Sequence, residues 1–237
     1  MVRMYTFVPG EYYHIYSRGT EKRIIFIDES DYKRFVKLLF LCNGQKPVDS
    51  RKYKGLSFVE SVDKVGKDKE NLVYIGAYCL MPNHFHLLIR ERDPAGVSIF
   101  MRKLLTAYSM YFNTKYGRKG RLFESSYQSM HADYDEYLKY LFAYIHLNPL
   151  KIVDPNWKEG VRDKKKAIEY LSQYRFSSFL DYADVKRDVE IILSKDQFPN
   201  YFPSRADFLA GMFDWITYAK DNPLHGDNSI EKVGLSI

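Results

Sequence analysis

Residues 72–90 constrain the fold more than any other stretch of the chain. Residues 72–80 read as a strand, with Val73, Ile75, Ala77 and Cys79 on one face because side chains alternate sides along an extended backbone. Met81-Pro82-Asn83 makes a tight connection, and residues 84–90 form the returning strand. That second strand begins His84-Phe85-His86 and continues with the apolar run Leu87-Leu88-Ile89. Alternation sends His84 and His86 to one side and Phe85 into the opposite layer. Two imidazoles side by side on one strand face can share a single metal ion. The same spacing also arises where both rings are merely hydrogen-bonded or solvated.

The elements around this hairpin follow from periodicity. Residues 12–19 are aromatic and β-branched and close on Gly19, which predicts a first strand ended by a turn. His14 on that strand is either a third metal ligand or, as is commoner for a single strand histidine, a structural one. Ser30 or Asp31 opens a helix with Phe35, Leu38, Leu39 and Cys42 at helical spacing. Between residues 43 and 71 the pattern dissolves into a lysine-rich excursion, read as a long, mobile loop or hairpin. Ser98 caps a helix running to about residue 116, stopped by Gly117. Residues 122–132 offer a further strand, centred on Tyr127-Gln128-Ser129-Met130. The order strand, helix, strand, strand, helix, strand is that of a ferredoxin-like split βαβ, an α+β fold with an antiparallel sheet and helices on one face. Its first and third strands are central, which puts both histidines mid-sheet.

Asp133 and Glu136 form a capping-box pattern that opens another helix. Tyr137, Leu141, Tyr144 and Asn148 follow at three- and four-residue steps and share one stripe of it. An aromatic stripe usually belongs to the core. Pro149 ends the helix and biases Asn148 out of helical geometry, leaving its amide at a helix terminus. Beyond residue 153 come a polar connector, helices around residues 164–173 and 184–194, a last amphipathic helix capped by Ser204, and a tail from residue 221 that reads as frayed. Residues 1–153 therefore read as one domain and 154–237 as a mostly helical extension that carries no chemical motif.

Composition narrows the function classes. The net charge of +6 and the 21 tyrosines interleave cations with rings, a combination that suits single-stranded nucleic acid. Arg118-Lys119-Gly120-Arg121 is a cationic loop that is either a solvated turn or a phosphate contact. The two cysteines, Cys42 and Cys79, sit in apolar contexts and read as buried thiols of a reducing compartment. No run approaches the 18 apolar residues of a membrane span, and the first ten residues lack a signal-peptide core, so the expectation is a cytoplasmic protein with no membrane partner.

Taken together, three blocks resemble the single-tyrosine HUH transposases, specifically the REP-associated tyrosine transposase branch of the insertion-sequence transposases. They are Met81-Pro82-Asn83-His84-Phe85-His86, Gly120-Arg121-Leu122-Phe123 and Tyr144-Ile145-His146-Leu147-Asn148-Pro149. The resemblance runs over residues 12–153, with a weaker echo at 174–182. It implies that His84 and His86 hold one Mg²⁺ or Mn²⁺, that Asn148 completes the metal site, and that Tyr144 is the nucleophile. The implied activity is cleavage and rejoining of single-stranded or hairpin DNA, at hairpin or repeat elements, through a 5′-phosphotyrosine. Arg118, Lys119 and Arg121 then become candidate DNA contacts. Monomer and homodimer are equally compatible with the sequence. Two features depart from the pattern: the 43–71 excursion exceeds a minimal core, and Tyr140 lies four residues before Tyr144, mimicking the paired tyrosines of HUH relaxases. The competing readings are a hairpin DNA- or RNA-binding protein that does not cut, and an unrelated metal hydrolase in which Tyr144 is core.

Overall fold

The computed structural model of the protein describes residues 6–47, 49–66, 69–161 and 163–221. Four antiparallel strands form its centre: β1 (Tyr12–Arg18), β2 (Val73–Met81), β3 (His84–Glu91) and β4 (Gln128–Ala132), in the spatial order β2-β3-β1-β4. The strand order is that of the ferredoxin-like split βαβ, with β1 and β3 central. Pairing of Tyr16 with His86 and of Arg18 with His84 puts His14, Tyr16, His84 and His86 on one face. Tyr13, Ile15, Phe85, Leu87 and Ile89 point to the other.

That other face is covered by α1 (Glu29–Cys42) and α3 (Gly96–Lys115), whose Phe35, Leu38, Leu39, Phe100, Leu104 and Tyr108 complete the first core. Asp28, not Ser30, caps α1: its side chain accepts from the Ser30 and Asp31 amides, and Asp31 reciprocates. Helix α3 starts two residues before Ser98, where the carboxylate of Glu91 accepts the Val97 amide at 2.8 Å.

The 43–71 excursion has more order than its composition suggests. It contains a 3-10 turn (Ser50–Tyr53) and a short helix, α2 (Phe58–Val65), opened by a Ser57/Glu60 capping box and burying Val62 against α1. Asn43 ties the two ends together. Its amide nitrogen donates to the Val73 carbonyl, and its Oδ1 accepts from the Leu72 and Val73 amides at 3.0–3.1 Å.

The uniform alternation expected for β2 is interrupted. Ile75 pairs with Ile89 and Ala77 with Leu88, so Gly76 is an extra residue, a bulge that swaps the faces. Val73 and Ile75 enter the first core, whereas Ala77, Cys79 and Met81 enter a second one on the histidine face. Gly76 is required there, because a Cβ at this position would come within 2.6 Å of the Phe198 ring.

The second core is built by α4 (Asp135–Leu147) and by the chain beyond it. Helix α4 is capped by Tyr134, which makes no side-chain cap bond, so the expected Asp133/Glu136 box does not form. Asn148 also differs from expectation: its φ of −53° and ψ of −35° are helical, and α4 runs directly into a 3-10 turn (Asn148–Ile152). Helix α5 (Lys164–Gln173) spans its predicted residues, while the 184–194 helix is replaced by α6 (Phe179–Tyr182) and a 3-10 turn (Asp188–Ile192). Ser204 caps α7 (Arg205–Asp221) through the Asp207 amide. The expected tail beyond residue 221 lies outside the described residues.

Residues 174–182 run along the outer edge of β2. The Leu80 amide donates to the Phe176 carbonyl and the Ser178 amide to the Tyr78 carbonyl, both at 2.9 Å, and the Tyr182 hydroxyl donates to the Gly76 carbonyl at 2.7 Å. This covers an edge that would otherwise present unpaired backbone groups. A buried Asp181–Arg187 pair, with Arg187 also donating to the Ser177 carbonyl, secures the strap. None of the helices among the described residues is long and apolar enough to cross a membrane.

Phe142 of α4 is nearly fully buried and meets the rings of Tyr182, Phe198 and Tyr201 at 5.5–6.0 Å. Phe142→Ala is expected to destabilise the fold by about 3–5 kcal/mol in urea unfolding. A loss under about 1 kcal/mol would mean that the chain after residue 153 is not packed on α4 in this way.

Candidate active site

Strand β3 and helix α4 meet over the histidine face of the sheet. Because β3 is central, its His86 is covered by neighbouring strands at the sides and by α4 above. His86 retains 4% of its surface, Tyr144 7% and Asn148 3%. Tyr144 stands edge-on to His86, with ring centroids 5.4 Å apart at 82°, and edge-on to His14 at 6.0 Å. The His84 and His86 rings lie 4.9 Å apart, almost perpendicular. Asn148, one turn beyond Tyr144, reaches the His84 ring. The fold thus brings His84, His86, Tyr144 and Asn148 into one cluster.

Hydrogen bonds orient the two rings of the strand. His84 Nδ1 lies 2.6 Å from Asn83 Oδ1, an acceptor, so the proton sits on Nδ1 and Nε2 keeps its lone pair. His86 Nδ1 lies 2.9 Å from His14 Nε2, and the two share one proton. His86 Nε2 and Asn148 Oδ1 are buried and have no hydrogen-bond partner among the described residues. Unsatisfied buried polar atoms of this kind normally find a partner, such as a water or a bound ion.

Burial keeps these rings neutral. It pushes His14 down to about 3. It also pushes His84 down to about 3, helped by the positive charges of Lys151 and Arg18 and opposed by the nearby Asn148 amide. His86 is held well below the ordinary histidine range by burial first, then by His84, His14, Lys158 and Lys151. A divalent ion arriving at neutral pH would therefore meet uncharged rings, each with one lone pair, and no imidazolium charge would oppose it.

Among the described residues, no three His, Cys, Asp or Glu side chains are placed to hold a metal. The donors that converge here are two imidazoles and one amide oxygen, all neutral. They fit a divalent ion whose remaining positions and charge are satisfied by a phosphate or water.

Several neighbours carry no sequence signal. Lys158, from a 3-10 turn (Trp157–Glu159) in the polar connector, places its ammonium 4.9 Å from the centroid of the Tyr144 ring. Lys151 and Arg18 act on His84 through their charge, and Arg18 is bound to Glu124 at 3.1 Å. Nothing in the spacing of these residues distinguishes them from solvated cations. His146 is excluded from the cluster: it is fully buried on the far side of α4, with Nε2 2.8 Å from the Ser178 hydroxyl. The Tyr140 ring lies tilted against Tyr144, with centroids 5.8 Å apart, and against Trp215 at 5.4 Å.

The cationic loop lies at the same end of the sheet. The Thr20 amide donates to the Leu122 carbonyl, the Glu124 amide to the Arg18 carbonyl, and Phe123 packs edge-on against Phe85. Lys119 and Arg121 are exposed; Arg118 is half-buried, with its guanidinium over Phe112. Arg121 also lines an open groove of about 1000 Å³ with Arg102, Ser109, Asn113, Ser125 and Ser126.

Comparison with known proteins adds the following. The family model described as transposase, IS200-like matches residues 36–148, a span that holds His84, His86, Tyr144, Asn148 and the cationic loop. No curated protein matches the sequence. Among solved structures the chain is similar to a REP-associated tyrosine transposase bound to a REP hairpin, at 15% identity and a TM-score of 0.48, over 80% of this chain and 92% of that one.

The depressed histidines fix the sign of a pH effect. His14 and His146 fall from 6.5 to about 3 on folding, so between those values the unfolded chain binds protons that the folded chain excludes. Their contribution is intact above the unfolded value and is lost on acidification, at about 1.4 kcal/mol per pH unit for each ring. Urea unfolding of the metal-free protein should therefore show lower stability at about pH 5 than at pH 7. Equal stability at the two values would contradict the buried neutral rings.

Proposed function

We propose, from the match of residues 36–148 to the IS200-like transposase family model, that the protein is a metal-dependent single-strand DNA endonuclease and strand-transferase. The observation that carries this reading is the convergence of the Tyr144 ring, 5.4 Å from His86, with the unsatisfied His86 Nε2 and Asn148 Oδ1. A binding protein has no use for such a set. A hydrolase that keeps Tyr144 only as core has no reason to place it beside those donors.

The chain's own residues suggest how the steps divide. His84, His86 and Asn148 would hold Mg²⁺ or Mn²⁺. When bound, the ion neutralises phosphate oxygens and makes phosphorus a better electrophile. Tyr144 Oη attacks the phosphorus and gives up its proton to solvent, while the bond from phosphorus to the 3′-oxygen breaks and that oxygen takes up a proton. The products are a 5′-phosphotyrosine and a free 3′-hydroxyl. Attack by another 3′-hydroxyl reverses the step, joins new ends and restores the phenol without a nucleotide cofactor. Lys158 over the Tyr144 ring keeps a positive charge beside the reacting group. Helix α4 and the surrounding rings exclude bulk water, which limits hydrolysis of the ester. Hairpin or repeat elements are the substrate class that the resemblance implies, with Arg118, Lys119 and Arg121 on the backbone of the DNA.

The test is a covalent adduct. Incubation with Mn²⁺ and labelled hairpin oligonucleotides carrying single-stranded flanks is expected to yield a denaturation-resistant protein–DNA species. Tyr144→Phe should abolish it while retaining binding. An adduct that persists in Tyr144→Phe would move the nucleophile, with Tyr140 next in line. Binding with no adduct across many sequences would favour a hairpin DNA- or RNA-binding protein that does not cut.

The loop has its own test. Neutralising Arg118, Lys119 and Arg121 together should flatten the slope of log affinity against log salt by about 2, at roughly 0.7 per single-strand phosphate contact. An unchanged slope would remove the loop from the DNA path.

A further inference from the structure

We propose that His14 is a positioning residue for His86: it accepts the Nδ1–H of His86 and thereby holds the Nε2 lone pair of that ring available to the candidate metal site. The proposal rests on the metal reading given above. It also replaces the idea that His14 is a third ligand, since His14 Nε2 is committed to His86 and is unavailable to the same ion.

The geometry comes from the two central strands. Tyr16 pairs with His86, so His14 lies diagonally across on the same face, two residues along β1. The two rings are nearly parallel, 20° apart with centroids at 5.1 Å, and both are buried. Their facing nitrogens are 2.9 Å apart, while the outer nitrogens, His14 Nδ1 and His86 Nε2, have no hydrogen-bond partner among the described residues.

Counting protons on this pair gives two arrangements. Two neutral imidazoles carry two N–H protons on four nitrogens, and the shared contact holds one proton. If that proton is on His86 Nδ1, the second is on His14 Nδ1 and His86 Nε2 is bare. If it is on His14 Nε2, the second is on His86 Nε2, and an N–H occupies the place where a ligand lone pair is needed. Each arrangement leaves one donor and one acceptor unsatisfied, so the surroundings of the pair do not strongly prefer either. A cation in the site needs the lone pair and selects the first. In that arrangement donation to His14 also makes His86 the more basic ligand, as is general for metal-bound histidines whose second nitrogen donates to a neighbour. His84 has the equivalent support from Asn83.

Two readouts other than activity test this on the full chain. In the first, ¹⁵N-histidine-labelled protein is titrated with Mg²⁺ and the ring nitrogens are observed by NMR. The expected result is His86 protonated at Nδ1, with its Nε2 signal moving on addition of the ion. A proton on His86 Nε2 in the Mg²⁺-saturated protein would overturn the proposal, and this measurement needs no variant to fold. In the second, Mn²⁺ affinity is read from the EPR signal of the free ion. His14→Phe fills the ring volume without an acceptor and should weaken binding by about 10- to 100-fold. His14→Gln, whose side-chain carbonyl can accept the same proton, should recover most of that loss. Equal affinity in wild type and His14→Phe would overturn the role of His14 and leave the metal reading standing. Absence of Mn²⁺ binding by the wild type would overturn both.

Discussion

The antiparallel pairing of β1 with β3 is the interaction on which the rest of the molecule depends. Seven consecutive residues of β1, Tyr12 to Arg18, pair with residues 84–90, and the register decides which side chains share a face. A slip of one residue would send Phe85 and Leu87 to the histidine side and both histidines into the α1/α3 core. Large apolar side chains therefore defend the placement of the polar ones: Phe85 touches Phe35 and Phe123, and Leu87 and Ile89 are fully buried. The energy that fixes the candidate site lies on the opposite side of the sheet from the site itself.

The second layer on which the site depends is α4 with the chain that follows it. Tyr144 belongs to a helix that touches the sheet on one side and α7 on the other, and Asn148 directly follows that helix. The strap at 174–182 binds the edge of β2, and its Ser178 meets His146 of α4. Strap and helix are thus cross-linked through one hydroxyl, and the distance between the tyrosine and the histidine pair is set partly outside the span that matches the transposase family.

Much of this arrangement was legible from periodicity. The strand order, the two covering helices, and the shared stripe of Tyr144 and Asn148 all follow from spacings of two or of three and four residues. What escaped was decided by residues distant in sequence. The bulge at Gly76 answers to the Phe198 ring more than a hundred positions away, and the cap of α3 comes from Glu91 on a strand. Asn148 stays helical despite the proline after it, because a 3-10 turn continues the helix. Within the site, the histidine pair announced itself by its spacing with an apolar run behind it. Lys158 did not, since a single lysine in a polar connector looks like any solvated cation. His14 was visible as a residue, but its partner could be named only once the strands were paired.

The latch formed by Asn43 has a consequence for how this architecture can vary. One side chain, bonded to three backbone groups, closes residues 43 to 73 into a ring whose two ends are held together at the start of β2. Lengthening a connecting loop costs little, about 0.6 kcal/mol for each doubling, so the loops that flank α2 are the places where length can change. Insertions can therefore accumulate between α1 and β2 while the strand that leads into the histidine hairpin keeps its start point. Loop length in the excursion and the geometry of the candidate site are thereby uncoupled at the two ends that Asn43 joins.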